Sequence, residues 1–353
     1  MLEKNPSTRK TIKRRDFLKF GAAGAVLTGA ACSGSPSSKQ QAATPKEALV
    51  PKKRLGRTAM TASILAMGGG SSLSMVKDDQ QALALIDLAR RKGVNFFDTG
   101  AGYGAGQSER RFGEALEPYR KSVYLATKYG PGDGYDKLME KIERSLKRFR
   151  SDYLDLAQMH GLQSLKNVDR MFDAGTLENL VKLKEQGVVR YIGFSSHGSP
   201  KASAEALRRF DFDVALLAAN ASKLVTEFEF DPRGRGSFED ECFPIAREKN
   251  VGVFTFKVTG QRRLIARNNE LDKATGEDLL RYGFSLPIHG MVLGMHTVEH
   301  VESAARLAAG FKPMTREEMD DLNGRLTYFA DDLTLDYLRP DYVDNGGYRA
   351  HLA

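Results

Sequence analysis

Asn95-Phe96-Phe97-Asp98-Thr99-Gly100-Ala101-Gly102-Tyr103-Gly104 runs from an apolar stretch of strand length into an acid, a cluster of glycines and a phenol. The same pattern recurs downstream. Val123-Tyr124-Leu125-Ala126-Thr127-Lys128 ends in an amine, and Tyr153-Leu154-Asp155-Leu156-Ala157-Gln158-Met159-His160 ends in an imidazole. Short, nearly continuous apolar runs are how the buried strands of a parallel sheet read. In an α/β barrel the residues at the carboxyl ends of such strands face the active site, while the opposite end serves stability. Asp98, Tyr103, Lys128 and His160 are therefore predicted to converge on one mouth.

Working outward, strands are expected over 64–67, 95–99, 123–128, 153–160, 190–195, 214–220, 251–257 and 291–294. Amphipathic helices are expected over 78–91, 108–116, 135–149, 176–186, 201–209, 239–249 and 298–307, with a long insertion after the seventh strand. Strand and helix in regular alternation predict a closed (β/α)8 TIM barrel, an α/β fold forming a single catalytic domain. Lys53-Arg54-Leu55-Gly56-Arg57-Thr58 reads as a hairpin able to cap its bottom. The competing fold is a doubly wound dinucleotide-binding sheet, because Gly100-Ala101-Gly102-Tyr103-Gly104-Ala105 formally fits G-x-G-x-x-A after a strand. That fingerprint expects an acid at the end of the next strand, which here ends in Lys128.

The chain of 353 residues carries a net charge of +8. Residues 1–31 hold seven basic side chains against Glu3 and Asp16, so most of the excess is N-terminal. The body has no clustered basic surface with stacking aromatics, and no nucleic-acid partner is expected. Cys32 and Cys242 are the only cysteines, which leaves no thiol set for an iron–sulfur cluster and no metal site of that kind. Thr11-Ile12-Lys13-Arg14-Arg15-Asp16-Phe17-Leu18-Lys19, followed by a short apolar run to Ala31, resembles a twin-arginine export signal. The organisation expected is a signal over 1–31, a flexible linker over 32–50, the barrel over 51–312 and a C-terminal extension over 313–353. The export machinery is then a partner, and the mature chain belongs in the periplasm or on the outer face of the membrane. Gly29-Ala30-Ala31-Cys32 has the small residues of a lipoprotein cleavage site but Gly29 where Leu is usual, which leaves lipid on Cys32 open. Membrane contact is expected only through the signal or that lipid.

From Lys53 to Ala305 the chain resembles the aldo/keto reductase superfamily. The likeness is carried by Asp98-Thr99-Gly100-Ala101-Gly102-Tyr103-Gly104 with Ser108-Glu109 and Gly113-Glu114-Ala115-Leu116, by Ala126-Thr127-Lys128 and by Met159-His160. It implies a barrel that binds NADP(H) in extended form and reduces a small-molecule carbonyl substrate. Singly, a strand-end Asp caps a helix, a Lys is solvated and a His is structural; together the four describe carbonyl chemistry. Hydride delivered to a carbonyl carbon leaves charge on oxygen, and a phenol with an ordinary pKa of about 10 donates poorly at neutral pH unless a cation lowers it. Lys128 supplies that cation, Asp98 holds it charged, and His160 hydrogen-bonds the carbonyl oxygen.

The cofactor residues follow from the resemblance. Ser195 and Ser196 match the fifth-strand pair that holds the nicotinamide amide, with Ser196 replacing Asn. Asn220 matches the sixth-strand Asn, although Leu216 and Ala219 stand where Gln and Tyr are usual. Phe256 falls where an aromatic stacks on the nicotinamide or simply packs the barrel, with Lys257 beside it. Gly260, Arg262 and Arg263 follow the seventh strand, where barrels bind phosphate. Gly294, His296 and His300 lie where the adenosine phosphate binds, and Ser303-Ala304 replaces the usual Glu-Asn. His296 with no acid beside it favours NADP(H) over NAD(H). Met159, His197 and Met295 fall near the mouth, as pocket lining or packing. The compartment opposes this chemistry, since free NADPH is not expected outside the cytoplasm, whereas a cofactor loaded before export of the folded protein reconciles the two. The alternative is an exported nucleotide-binding module that senses redox state or serves interaction, with weak catalysis.

Overall fold

The structure, a computed structural model, describes residues 48–223, 237–266, 273–327, 335 and 337. The signal segment with its arginine pair, Cys32, the linker to residue 47 and most of the C-terminal extension lie outside the described residues. A hairpin of β1 (Lys52–Arg54) and β2 (Thr61–Ser63) precedes eight parallel strands. These are β3 (Leu65–Gly68), β4 (Phe96–Asp98), β5 (Tyr124–Tyr129), β6 (Leu154–Met159), β7 (Val189–Ser196), β8 (Val214–Ala218), β9 (Gly252–Phe256) and β10 (Gly290–Gly294). They pair in chain order and β10 returns to β3, closing the barrel. Closure excludes the doubly wound sheet, which is open at both edges.

Alternation along each strand divides the core in two. Ala66, Phe96, Ala126, Leu156, Val214, Leu216, Phe254 and Val292 point inward and fill the barrel with Leu55, Met60 and Ala62 from the hairpin. The opposite faces, including Met67, Phe97, Leu125, Ala157, Met159, Phe194 and Leu217, pack under the helices. Leu55 reaches the barrel floor because Gly252 leaves room: a Cβ there would sit 2.5 Å from Leu55 Cδ1. The floor is further tied by Ala59 N donating to Tyr191 Oη and Thr61 N donating to Tyr124 Oη. With the bottom plugged, the strands' carboxyl ends form the mouth.

Most helices lie where the periodicity puts them: Asp79–Arg91, Gln107–Leu116, Tyr135–Phe149, Thr176–Glu185, Pro200–Arg209 and Val298–Ala309. The helix expected over 239–249 is broken into Phe238–Glu241 and Phe243–Glu248, since Pro244 has no N–H to continue the ladder. The stretch expected as an insertion contains the helix Gly276–Ser285, opened by a capping box between Thr275 and Asp278. The apolar period also fails to announce Ser71–Met75, Leu165–Asp173 and Arg316–Thr327. The sixth barrel strand stops at Ala218, so Asn220 stands beyond its end.

At the floor, His289 is buried against Phe254, with Nδ1 3.3 Å from Arg54 O and Nε2 3.1 Å from Ala62 O. Burial first and the Lys53 ammonium second lower its pKa from 6.5 to about 4, against the pull of the carbonyls. The unfolded chain therefore binds a proton between about pH 6.5 and 4 that the folded chain refuses. Stability is expected to fall as pH drops through that window, by roughly 3 kcal/mol in full. His289→Gln should flatten the slope of unfolding free energy against pH there; an unchanged slope in denaturant titrations would sink the assignment.

Candidate active site

Four elements bring the predicted quartet together. Asp98 ends β4, Lys128 lies near the end of β5, His160 follows β6, and Tyr103 sits in the loop after β4. Inward alternation carries Asp98 from Phe96, Lys128 from Ala126 and His160 from Leu156. Lys128 Nζ donates to Asp98 Oδ2 at 2.5 Å and to the carbonyl of Thr99 at 2.7 Å. Asp98 and Lys128 are both buried, at 5% and 3% exposed, so this charge pair is held away from water. The ammonium lies 5.2 Å from the Tyr103 ring centroid. Tyr103 Oη and His160 Nε2 are 3.5 Å apart, with the rings edge to face. The phenol is buried and packs against Gly100 and Gly70.

A fifth residue completes the group. Gln158 Nε2 donates to Asp98 Oδ1 at 2.7 Å, so both carboxylate oxygens are fixed. The register of β5 against β6 puts Gln158 directly beside Lys128. The signal was present in the sequence, because Gln158 stands two residues before His160 and so shares its inward face.

The loop carrying Tyr103 is braced from outside the wall. Gly104, Ala105 and Gly106 all take left-handed backbone conformations, with φ of 55°, 53° and 88°. Arg148, from the helix Tyr135–Phe149, donates to the carbonyls of Ala101 (3.1 Å) and Ala105 (3.3 Å) and pairs with Glu109 Oε2 (2.9 Å). Glu109 is fully buried, and its other oxygen accepts from Thr127 Oγ1 at 2.7 Å. Thr99 Oγ1 donates to Ser108 Oγ at 2.7 Å. Neither Arg148 nor these threonines stood out in the sequence.

Of the residues expected to hold a cofactor, Ser195 and Ser196 lie on β7, Phe256 on β9 and Gly294 on β10, and the others lie in the segments that follow β8, β9 and β10. Ser195 Oγ accepts from Gly161 N at 3.2 Å. Ser196 shares the helix-facing side of β7 with Phe194 and gives its hydroxyl proton to Leu162 O, so its side chain is turned from the mouth. Met159 and Met295 pack in that helix layer too. Asn220 donates to Tyr337 Oη (2.7 Å) and Lys257 O (3.3 Å), and accepts from the backbone and hydroxyl of Ser222. Tyr337, from the C-terminal extension, is buried, and its carbonyl lies 3.1 Å from His197 Nδ1. Its ring centroid is 5.6 Å from Lys257 Nζ, and Phe256 is half-buried and edge-on to His197. Leu335 packs where a Cβ on Gly260 would go. Leu335 and Tyr337 thus pack against this side of the mouth.

Beyond β9 and β10, Arg262 and Arg263 are exposed, and Arg262 adopts a left-handed φ of 72°. His296 and His300 stack edge-on with ring centroids 4.5 Å apart. Burial first, then the charges of His300 and Arg262, lower the pKa of His296. His296 Nδ1 is buried with no hydrogen-bond partner. Arg262, His296 and His300 are the groups here that could meet a phosphate, and the orphaned Nδ1 of His296 leaves a hydrogen-bonding position open. A Cβ on Gly294 would collide with Ser72 Oγ, so the backbone there is closely covered.

Residues 65–319 match the family model described as Aldo/keto reductase family. The uncharacterized oxidoreductase YqkF of Bacillus subtilis is 33% identical over 216 residues, 57% of this chain and 62% of its own length. L-Galactose dehydrogenase of Arabidopsis thaliana is 33% identical over 154 residues, 40% of this chain and 47% of its own length. The chain therefore spans less than two thirds of these curated relatives. Among solved structures, the holo form of aldo-keto reductase AKR11C1 from Bacillus halodurans superposes with a TM-score of 0.63 at 24% identity, covering 78% of this chain and 96% of that one. The thermostable aldo-keto reductase Tm1743, solved with the inhibitor epalrestat, gives 0.61 at 21% identity over 78% and 99%. At such identities the likeness shows a shared fold.

Proposed function

The chain belongs to the aldo/keto reductase family, and from that premise we propose that it reduces aldehyde or ketone carbonyls, or oxidises the corresponding alcohols, with Tyr103 exchanging the proton. The observation that carries this reading is the buried Asp98–Lys128 pair set beneath the Tyr103 ring, with His160 beside the phenol oxygen. When bound, a reduced nicotinamide cofactor supplies the hydride. Tyr103 Oη donates its proton to the substrate oxygen as negative charge gathers there. Lys128 favours the phenolate that remains, and Asp98, fixed by Gln158, keeps Lys128 charged and in place. His160 hydrogen-bonds the same substrate oxygen and orients the carbonyl over the phenol. In the oxidising direction each group runs the reverse step.

NADP(H) is the cofactor we favour over NAD(H), on the strength of Arg262, His296 and His300. These groups would hold the phosphate that distinguishes the two nucleotides, while Ser195, Phe256 and Lys257 would meet the nicotinamide end. Fluorescence titration should then give a Kd for NADPH at least about tenfold below that for NADH, the equivalent of about 1.4 kcal/mol. Equal affinities would remove the NADP preference, and binding of neither would overturn the oxidoreductase reading.

A further inference from the structure

We propose that Arg148 is a positioning residue for the Tyr103 phenol, setting the place of the proton donor by gripping the backbone on both sides of it. This inference rests on Tyr103 being that donor. Arg148 stands on the helix Tyr135–Phe149, outside the barrel wall, and its hydrogen bonds run to Ala101 O, Ala105 O and Glu109 Oε2. Its bonds to Ala101 O and Ala105 O fall two residues before and two residues after Tyr103. The guanidinium lies so close to the loop that a Cβ on Gly106 would come within 2.1 Å of Arg148 Cζ.

The loop needs such a grip. Gly104, Ala105 and Gly106 are consecutively left-handed, a conformation that Ala105 in particular resists. Glu109 orients the guanidinium and is itself oriented by Thr127, the neighbour of Lys128 in β5. Thr99, whose carbonyl accepts from Lys128, ties its hydroxyl to Ser108 at the start of the same helix as Glu109. The phenol and the ammonium are thereby referred to one framework. A planar fork can hold two carbonyls and a carboxylate at once; a lysine ammonium in its place holds fewer of them and fixes no plane. An ion pair with Glu109 alone would be structural. The two carbonyls flanking Tyr103 are what make Arg148 a device for placement.

The test uses Arg148→Lys and Arg148→Met in the full chain, with Tyr103→Phe alongside. Four quantities are read: thermal midpoint, NADPH Kd, kcat against KM for a carbonyl substrate, and the pH profile of alcohol oxidation. Arg148→Met is expected to lower kcat on the order of 10- to 100-fold, the cost of a small misplacement of a reacting group. NADPH Kd should stay within about twofold, well under the tenfold that 1.4 kcal/mol represents. The pH at half-maximal oxidation should rise toward the ordinary phenol value of about 10, because the phenol drifts from the ammonium. Arg148→Lys keeps a charge opposite Glu109, so it should fold, and its kcat and pH profile should lie between those of the parent and Arg148→Met. A folded variant of either kind with the parental kcat and pH profile overturns the proposal, and so does a lowered midpoint with an unmoved profile. If Tyr103→Phe keeps its turnover, the donor reading itself fails; if Tyr103→Phe is inactive and the Arg148 variants match the parent, only the positioning role fails.

Discussion

Replacing Tyr103 by Phe is expected to lower kcat for carbonyl reduction by roughly 10²- to 10⁴-fold, the usual contribution of a positioned general acid. The expectation is selective because the substitution removes one oxygen and little else. The ring is 4% exposed and packs against Gly100 and Gly70, contacts that Phe repeats. The oxygen lies 3.5 Å from His160 Nε2, at the limit of hydrogen-bond reach. Thermal stability and NADPH binding should therefore hold while turnover collapses. Stopped-flow measurement of NADPH oxidation in a single turnover isolates the chemical step. A rate within about twofold of the parent, far short of the expected loss, would take the proton role from Tyr103.

Lys128→Met is expected to damage both chemistry and fold. Asp98 is 5% exposed, and without the ammonium the side-chain partner left to its charge among the described residues is the amide of Gln158. Breaking a buried pair in this way costs about 3–5 kcal/mol, because one ion remains desolvated and uncompensated. Carbonyl reduction should fall with it, since the phenol loses the cation that makes it acidic. The double variant Asp98→Leu with Lys128→Met separates the two effects, because an apolar pair of similar volume is often as stable as the ion pair it replaces. It should recover most of the unfolding free energy in urea and none of the turnover. Recovered activity would mean that Lys128 serves structure alone.

Much of this was legible from residues close together in the chain. Buried parallel strands announce themselves as apolar runs, and their last residues are directed by the same alternation that fills the barrel, so spacing alone places Asp98, Lys128 and His160 on one mouth. Gln158 obeyed the same rule but was hidden among Ala157 and Met159, carrying no charge to mark it. Arg148 lies on a helix with Lys137, Lys141, Arg144 and Lys147, and nothing local distinguishes the one cation that turns to the Tyr103 loop. Ser196 matched a family position by sequence, yet the pleat points it at the helices. The helix Gly276–Ser285 is marked by its Thr275–Asp278 capping box rather than by an apolar period. Tyr337 meets His197 across 140 positions of chain, a contact no local pattern encodes.

That last contact has a temporal side. A polypeptide leaves the ribosome from its amino end, so all eight barrel strands are available to fold before Tyr337 has been made. The wall over Asn220 and Lys257 is accordingly the last part of the mouth to be laid down. A chain cut short by a premature stop after the helix Arg316–Thr327 would keep every strand and the whole Asp98–Tyr103–Lys128–His160 group, yet present an unfinished site. In this protein the side of the mouth at Asn220 is finished only after the barrel strands have been made.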